Sequence, residues 1–228
     1  MINLQNGTYD ISAGARAVRH NVLRNTYWLL ALSMVPTVLG AVIGVAAGIP
    51  VPRGLVGMLL FLGVAWGFIW GIEKNKDSGL GVALLLGFTF FMGLMLTPLL
   101  GRIMGYSNGA YLIATAFGGT AAVFATMATV ATVSKRDFSG LGNWLFAGVV
   151  VLLLASFLNV FLAIPALYIV MSVVAIAIFS AYILFDVQQI VNGGETNYIR
   201  ATLNIYLDVY NIFVNLLSLL GIFGGNRD

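Results

Sequence analysis

Residues 203–217 read LNIYLDVYNIFVNLL. This is an apolar segment with an aspartate, Asp208, near its middle and three asparagines, Asn204, Asn211 and Asn215, beside it. On a helix, positions three, four, seven and eleven apart share one face. The four residues therefore form a single polar stripe, extended by Ser218. The remaining faces carry Leu203, Ile205, Leu207, Phe213, Leu216 and Leu217, which pack on apolar neighbours. Such a stripe must face protein or water, so the segment reads as a helix held within a bundle. Its polar face either lines a hydrated path or bonds to other helices.

The rest of the chain supplies that bundle. Of 228 residues, 60% are hydrophobic and 8% charged, and the mean hydropathy is +0.98; soluble domains carry about 25% charged residues. The fold class is an all-α integral membrane protein. At about 20 apolar residues per span, polar, Gly and Pro breaks divide the chain into seven transmembrane helices, roughly 27–48, 54–72, 79–100, 110–133, 141–163, 165–187 and 202–223. That leaves residues 1–26 as a polar and basic N-terminal tail and 27–228 as one transmembrane domain. The run from Trp28 to Ala47 is too long for a signal-peptide core and reads as an uncleaved first helix. With no cysteine in the chain, disulfides, thiolate metal sites and covalent haem attachment are excluded.

Basic residues alternate from loop to loop. With the N-terminus inside, Arg16, Arg19, Arg24, Lys74, Lys76, Lys135, Arg136 and Arg200 fall on the cytoplasmic side and only Arg53, Arg102 and Arg227 on the other. The positive-inside rule then places the N-terminus in the cytoplasm and the C-terminus outside. Tyr27, Trp28, Trp70 and Trp144 near span ends fit an interfacial belt. Gly40, Gly44 and Gly48, and again Gly63, Gly67 and Gly71, recur at a spacing that lets helix backbones approach. They predict tight packing within the bundle, or alternatively a dimer seam. Pro36 and Pro98 each remove a backbone donor within a span and predict kinks.

Two acidic residues lack an easy home: Asp186, in SAYILFDVQQI at the inner end of the sixth span, and Asp208. An ionised aspartate at a bilayer centre costs roughly 2.5 to 3.5 kcal/mol on insertion scales, and an intramembrane ionisable group marks a functional site by default. Two carboxylates meeting in a low-dielectric site share a proton as a coupled pair, which makes them a pH sensor. Straight helices from a turn at Gly193 and Gly194 would set Asp208 about seven residues deeper than Asp186, roughly 10 Å. Pairing therefore requires the segment ETNYIR, 195–200, to lie along the interface before the helix begins.

The run ILFDVQQIVNGGETNYIRATLNIYLDVYNIFVNLLSLLG resembles the closing signature of the Bax inhibitor family, the transmembrane Bax inhibitor motif or lifeguard proteins. HNVLRNTYWLLALS and GLMLTPLLG are similar to its bacterial branch, and GGETNYIRAT with YNIFVNLLSLLG to the YccA-like members. The resemblance implies a seven-helix fold whose last helix is wrapped by the other six, with Asp186 and Asp208 as a proton-responsive pair at the cytoplasmic side. It implies first a pH-sensitive calcium leak governed by the pair, and as the alternative a modulator that binds and restrains the membrane-anchored AAA protease FtsH. Family members that leak calcium carry a basic residue within the second helix that contacts the pair; here GLVGMLLFLGVAWGFIWGI has only Arg53 just before it, so the closed-state latch differs.

Calcium takes six to eight oxygen ligands. Asp186 and Asp208 with amide oxygens of Asn204 or Asn211 suit a weak, transient calcium site of the kind conduction needs. No resident cofactor is expected; the expected partners are the lipid bilayer of a bacterial inner membrane, calcium or protons, and the protease, with no nucleic acid. A proton-coupled transporter ranks third, since no internal repeat is visible. Nor is an enzyme expected: His20, the one histidine, precedes the first span, no HExxH, GxSxG or P-loop pattern occurs, and an aspartyl-protease reading of the pair rests on dyad logic alone.

Overall fold

The computed structural model describes residues 4–52 and 54–226, with side chains from Val18 onward. Arg53, Arg227 and Asp228, and the side chain of Arg16, lie outside the described residues. Eight helices follow one another: α1 Leu4–Ala46, α2 Gly54–Lys74, α3 Gly79–Met95, α4 Thr97–Met104, α5 Gly109–Val133, α6 Gly142–Leu162, α7 Pro165–Asn192 and α8 Tyr198–Gly224. Six are long and apolar enough to cross a membrane, and α3 with α4 makes a seventh span bent by 42°. The protein is an all-helical, multi-pass membrane protein.

Proline and glycine chemistry sets the boundaries. Pro98 enters α4 at its first turn, where its missing N–H is no loss, and the predicted kink in the third span is the break at Leu96. Pro36 lies inside α1, which continues through it. Between α6 and α7, Ile164 is extended and Pro165 opens the next helix, as the residue before a proline requires. At the end of α7, Gly193 takes a positive φ of 81°. The Gly194 N–H donates to the Gln189 carbonyl at 2.8 Å, closing the helix in a Schellman-type cap.

α8 is the central element. It packs chiefly on α7, α5 and α1 and more lightly on α3 and α2, whereas α6 packs on α7 and has at most glancing contact with α8. The expectation of a last helix wrapped by all six others is therefore corrected for α6, which forms an outer layer. Around α8 the main core gathers Phe88, Ile183, Ile205, Tyr206 and Ile212; a smaller cluster of Ile103, Leu112, Ala116 and Leu217 lies further along it.

The glycine rows divide. A Cβ on Gly40 would collide with the Phe90 carbonyl oxygen, one on Gly93 with the Thr37 carbonyl oxygen, and one on Gly44 with the Thr97 hydroxyl. The α1–α3 seam therefore rests on backbone-to-backbone approach, which only small residues permit. Gly63 and Gly67 meet nothing within 4 Å and Gly71 only a leucine methyl at 3.4 Å. The second row faces outward because α2 is a peripheral helix.

Two ends of the bundle can be told apart. At one, which we call the basic end, the α2–α3, α5–α6 and α7–α8 connections converge. Asn197 donates to the Lys76 carbonyl at 3.0 Å and to Asp77 Oδ1 at 2.8 Å. Gln188, which is buried, donates to the Arg136 carbonyl and accepts from the Phe138 N–H, each at 2.6 Å. At the other end Asn108 holds the close of α8, donating to the Gly224 carbonyl at 2.6 Å and accepting from the Asn226 N–H at 3.1 Å.

Candidate functional site

The site grows from the α7–α8 hairpin. Asn197 caps α8, its side-chain oxygen accepting from the Ile199 and Arg200 N–H groups at 3.0 and 3.1 Å, as an N-cap asparagine does. The helix thus begins at Tyr198 and not at residue 202. Only Glu195, Thr196 and Asn197 run outside it, so ETNYIR stays out of the helix for half its length. Asp186 is six residues before the end of α7 and Asp208 ten after the start of α8, about 9 and 15 Å along the two axes. The extended connection and the reach of the side chains make up the difference, and Asp186 and Asp208 come into hydrogen-bonding contact.

Two bare carboxylates brought this close repel, and a proton shared between them would relieve that repulsion. Asp208 is the deeper member, 4% exposed, and its Oδ2 has no hydrogen-bond partner among the described residues. Buried polar atoms are ordinarily paired, so this oxygen is an acceptor held in reserve. Asp186 is half-buried and lines a pocket of about 250 Å³ at the basic end with Phe185, Gln189, Glu195, Arg200 and Asn204. Arg200 Nε stands 3.4 Å from Glu195 Oε2, and its Nη1 3.7 Å from Glu73 Oε1. Asp186 therefore shares a polar pocket with Arg200, which stands between two glutamates.

Beyond Asp208 the stripe changes character. Asn211 donates to the Leu207 carbonyl and Asn215 to the Asn211 carbonyl, both at 2.8 Å. These amides return to their own helix, so their donors neither bond another helix nor extend the pocket. Tyr206 closes the neighbouring core: its hydroxyl is 2.9 Å from the Thr37 hydroxyl and donates at 3.4 Å to the Thr89 carbonyl. Tyr210 donates to the Met92 carbonyl at 3.1 Å. Ser218 ends the stripe buried, its hydroxyl without a partner among the described residues. Of the five stripe residues, only Asn204 and Asp208 belong with Asp186.

Sequence reasoning did not single out Arg200, Glu195 or Gln189 as site residues. The signal was present in ETNYIR and VQQI, since their charged and amide groups flank Asp186 at the same hairpin, but it becomes visible only when the hairpin closes. Among the described residues no group of three or more His, Cys, Asp or Glu side chains is placed to hold a metal ion.

Residues 19–225 match the family model described as "Inhibitor of apoptosis-promoting Bax1". The chain belongs to the Bax inhibitor family. Within this family it is 41% identical over 202 residues, 89% of this chain and 90% of the relative, to the "Modulator of FtsH protease YccA" of Escherichia coli strain K12. It is equally similar to the "Inner membrane protein YccA" of Escherichia coli O6:H1, and 38% identical over 207 residues, 91% of this chain and 92% of the relative, to an uncharacterized membrane protein of Vibrio cholerae. The hairpin bearing Asp186 and Asp208 falls inside the region matched by the Bax inhibitor model. The family's description is that of an inhibitor and the K12 relative's name that of a modulator.

Proposed function

We propose that this chain is an inner-membrane modulator of a membrane-anchored protease of the FtsH kind. The observation that carries this reading is the 41% identity, over nine-tenths of both chains, with a relative bearing that name. The basic end supports it as the docking side: α1 begins at Leu4, ahead of the candidate span that starts at Val18, and offers the protease a helical extension continuous with the bundle. The distribution of basic residues favours a cytoplasmic N-terminus, which would set the extension and the polar pocket on the face a cytoplasmic protease domain meets. Co-reconstitution with FtsH and a membrane substrate tests it. Full-length chain slows degradation and co-purifies with the protease, and deletion of residues 1–17 abolishes both; unchanged degradation with full-length chain refutes the reading.

A second reading, a pH-sensitive calcium or cation leak, draws on the carboxyl pair, of which Asp186 lines the pocket. Ionised, Asp186 and Asp208 with the Glu195 carboxylate and the Asn204 amide favour a weakly held cation; sharing a proton, they do not. Ile205, Tyr206 and Ile212 are fully buried around α8, so the path is shut beyond the pair and α8 must shift for an ion to pass. Arg200, which lines the pocket, takes the place of the missing cation of the second helix. Calcium flux into liposomes scanned over pH separates the readings. Flux that depends on pH in the wild type and loses that dependence in Asp208→Asn supports the leak; no flux above empty liposomes removes it. Deleting residues 1–17 leaves such flux unchanged.

A further inference from the structure

At the end opposite the carboxyl pair, a second pocket of about 420 Å³ lies between α4, α7 and α8, lined by Arg102, Pro165, Tyr168, Ile169 and Ile222. Its composition is unlike that of the first: three apolar side chains, one tyrosine and one guanidinium. All three ion pairs among the described residues lie at the basic end. Arg102 has no described carboxylate within ion-pairing distance and no described hydrogen-bond partner for its five donors. The Tyr168 hydroxyl likewise has no described partner. Pro165 is the first residue of α7, Ile222 lies in the last turn of α8, and Arg102 in the last turn of α4. The pocket is therefore at the depth where helix ends meet the headgroup layer.

We propose that this pocket binds an anionic phospholipid, its phosphate held by Arg102 and Tyr168 and its upper acyl segment against Pro165, Ile169 and Ile222. Three features converge on that occupant. A guanidinium presents paired donors that match phosphate oxygens, and basic pockets between membrane helices take lipid headgroups. The apolar wall continues toward the bilayer along α7, where Val170 and Val173 are 58% and 55% exposed, giving an acyl chain a track that a soluble anion would not use. The volume is within the range of small-molecule sites, about 300 to 1,000 Å³, and Arg102, Pro165 and Ile222 are exposed along it.

Native mass spectrometry of the full chain released from detergent tests this, with phosphatidylglycerol, phosphatidylcholine and inorganic phosphate as probes. Phosphatidylglycerol binds at least about tenfold more tightly than phosphatidylcholine, the order of one charge-assisted contact. Arg102→Gln brings the two lipids level, Tyr168→Phe narrows the gap in part, and inorganic phosphate does not displace the lipid. Ile222→Trp, which fills the apolar wall, weakens both lipids together. Equal binding of the two lipids by the wild type, or a preference that Arg102→Gln leaves intact, overturns the proposal; displacement by millimolar phosphate converts the site to one for a free anion and also overturns it. Arg102 holds no described structural contact, so an unchanged melting temperature for Arg102→Gln certifies the comparison.

Discussion

The two ends of this bundle solve the same problem, closing a set of helices against water, with opposite chemistry. At the basic end, amide side chains staple the connections: Asn197 ties α8 to the α2–α3 loop, Gln188 ties α7 to the α5–α6 loop, and charged groups surround a polar pocket that reaches Asp186. At the opposite end Asn108 and Ser107 hold the close of α8, and the neighbouring pocket is largely apolar with a single arginine. The difference teaches that polarity in this protein is concentrated where a proton or a partner can reach it. Elsewhere on α8, Asn211 and Asn215 fold back on their own helix, while Tyr206 and Tyr210 donate to carbonyls of α3.

Breaking the staples measures this contrast. Gln188→Ala strands the Phe138 N–H and the Arg136 carbonyl in a partly buried setting; each unsatisfied group costs about 1 to 3 kcal/mol, so unfolding in detergent shows the largest loss, about 3 kcal/mol. Asn197→Ala removes the cap of α8 and its tether to Asp77, and the expected loss is about 1 to 2 kcal/mol. Asn108→Ala, at the opposite end, costs about 1 kcal/mol. If it cost more than Gln188→Ala, the contrast between the ends would fail. Arg200→Gln removes two exposed, loosely spaced ion pairs and changes stability by less than about 1 kcal/mol, while altering access to the pocket, read as reactivity of a cysteine placed at Asn204.

The smallest effect concerns Asp137, fully exposed in the α5–α6 connection. The Ser139 N–H, donating at 2.9 Å, holds its carboxyl below the ordinary value of 3.8. A depressed carboxyl stabilises the fold above its unfolded value and loses that contribution as pH falls through its folded one. The contact therefore persists at neutral pH and is lost only as pH falls below the ordinary aspartate value of 3.8, which a pH titration of the Ser139 amide resonance checks. An amide resonance that stays still across that range would mean the Asp137 contact is not made in solution and the loop is held by Gln188.

How much was legible can be argued from particular residues. The polar stripe of α8 followed from spacing, but spacing treated Asn204, Asp208, Asn211, Asn215 and Ser218 alike. The structure divides them, because Asn204 and Asp208 face α7 near its end while Asn211 and Asn215 find carbonyls four residues back. Small-residue spacing likewise read the same in α1 and α2, yet Gly40 meets a backbone oxygen and Gly63 meets nothing. Periodicity reports that a face exists; it does not report what faces it. Apolar spans are shorter than the helices that carry them: α1 runs from Leu4 and α8, capped by Asn197, from Tyr198, because polar residues at a helix end leave no hydropathy signal.

By itself the sequence determined that the chain lies in a membrane, that it crosses about seven times, and that Asp186 and Asp208 demand an explanation, because hydropathy and the cost of burying charge are local properties of a segment. Only the tertiary structure decided that the two aspartates touch, that Arg200 and Glu195 stand over them, and that α6 lies outside the ring around α8. Those facts depend on how far one helix runs before its cap and which face its neighbour covers, and neither is fixed until the helices pack.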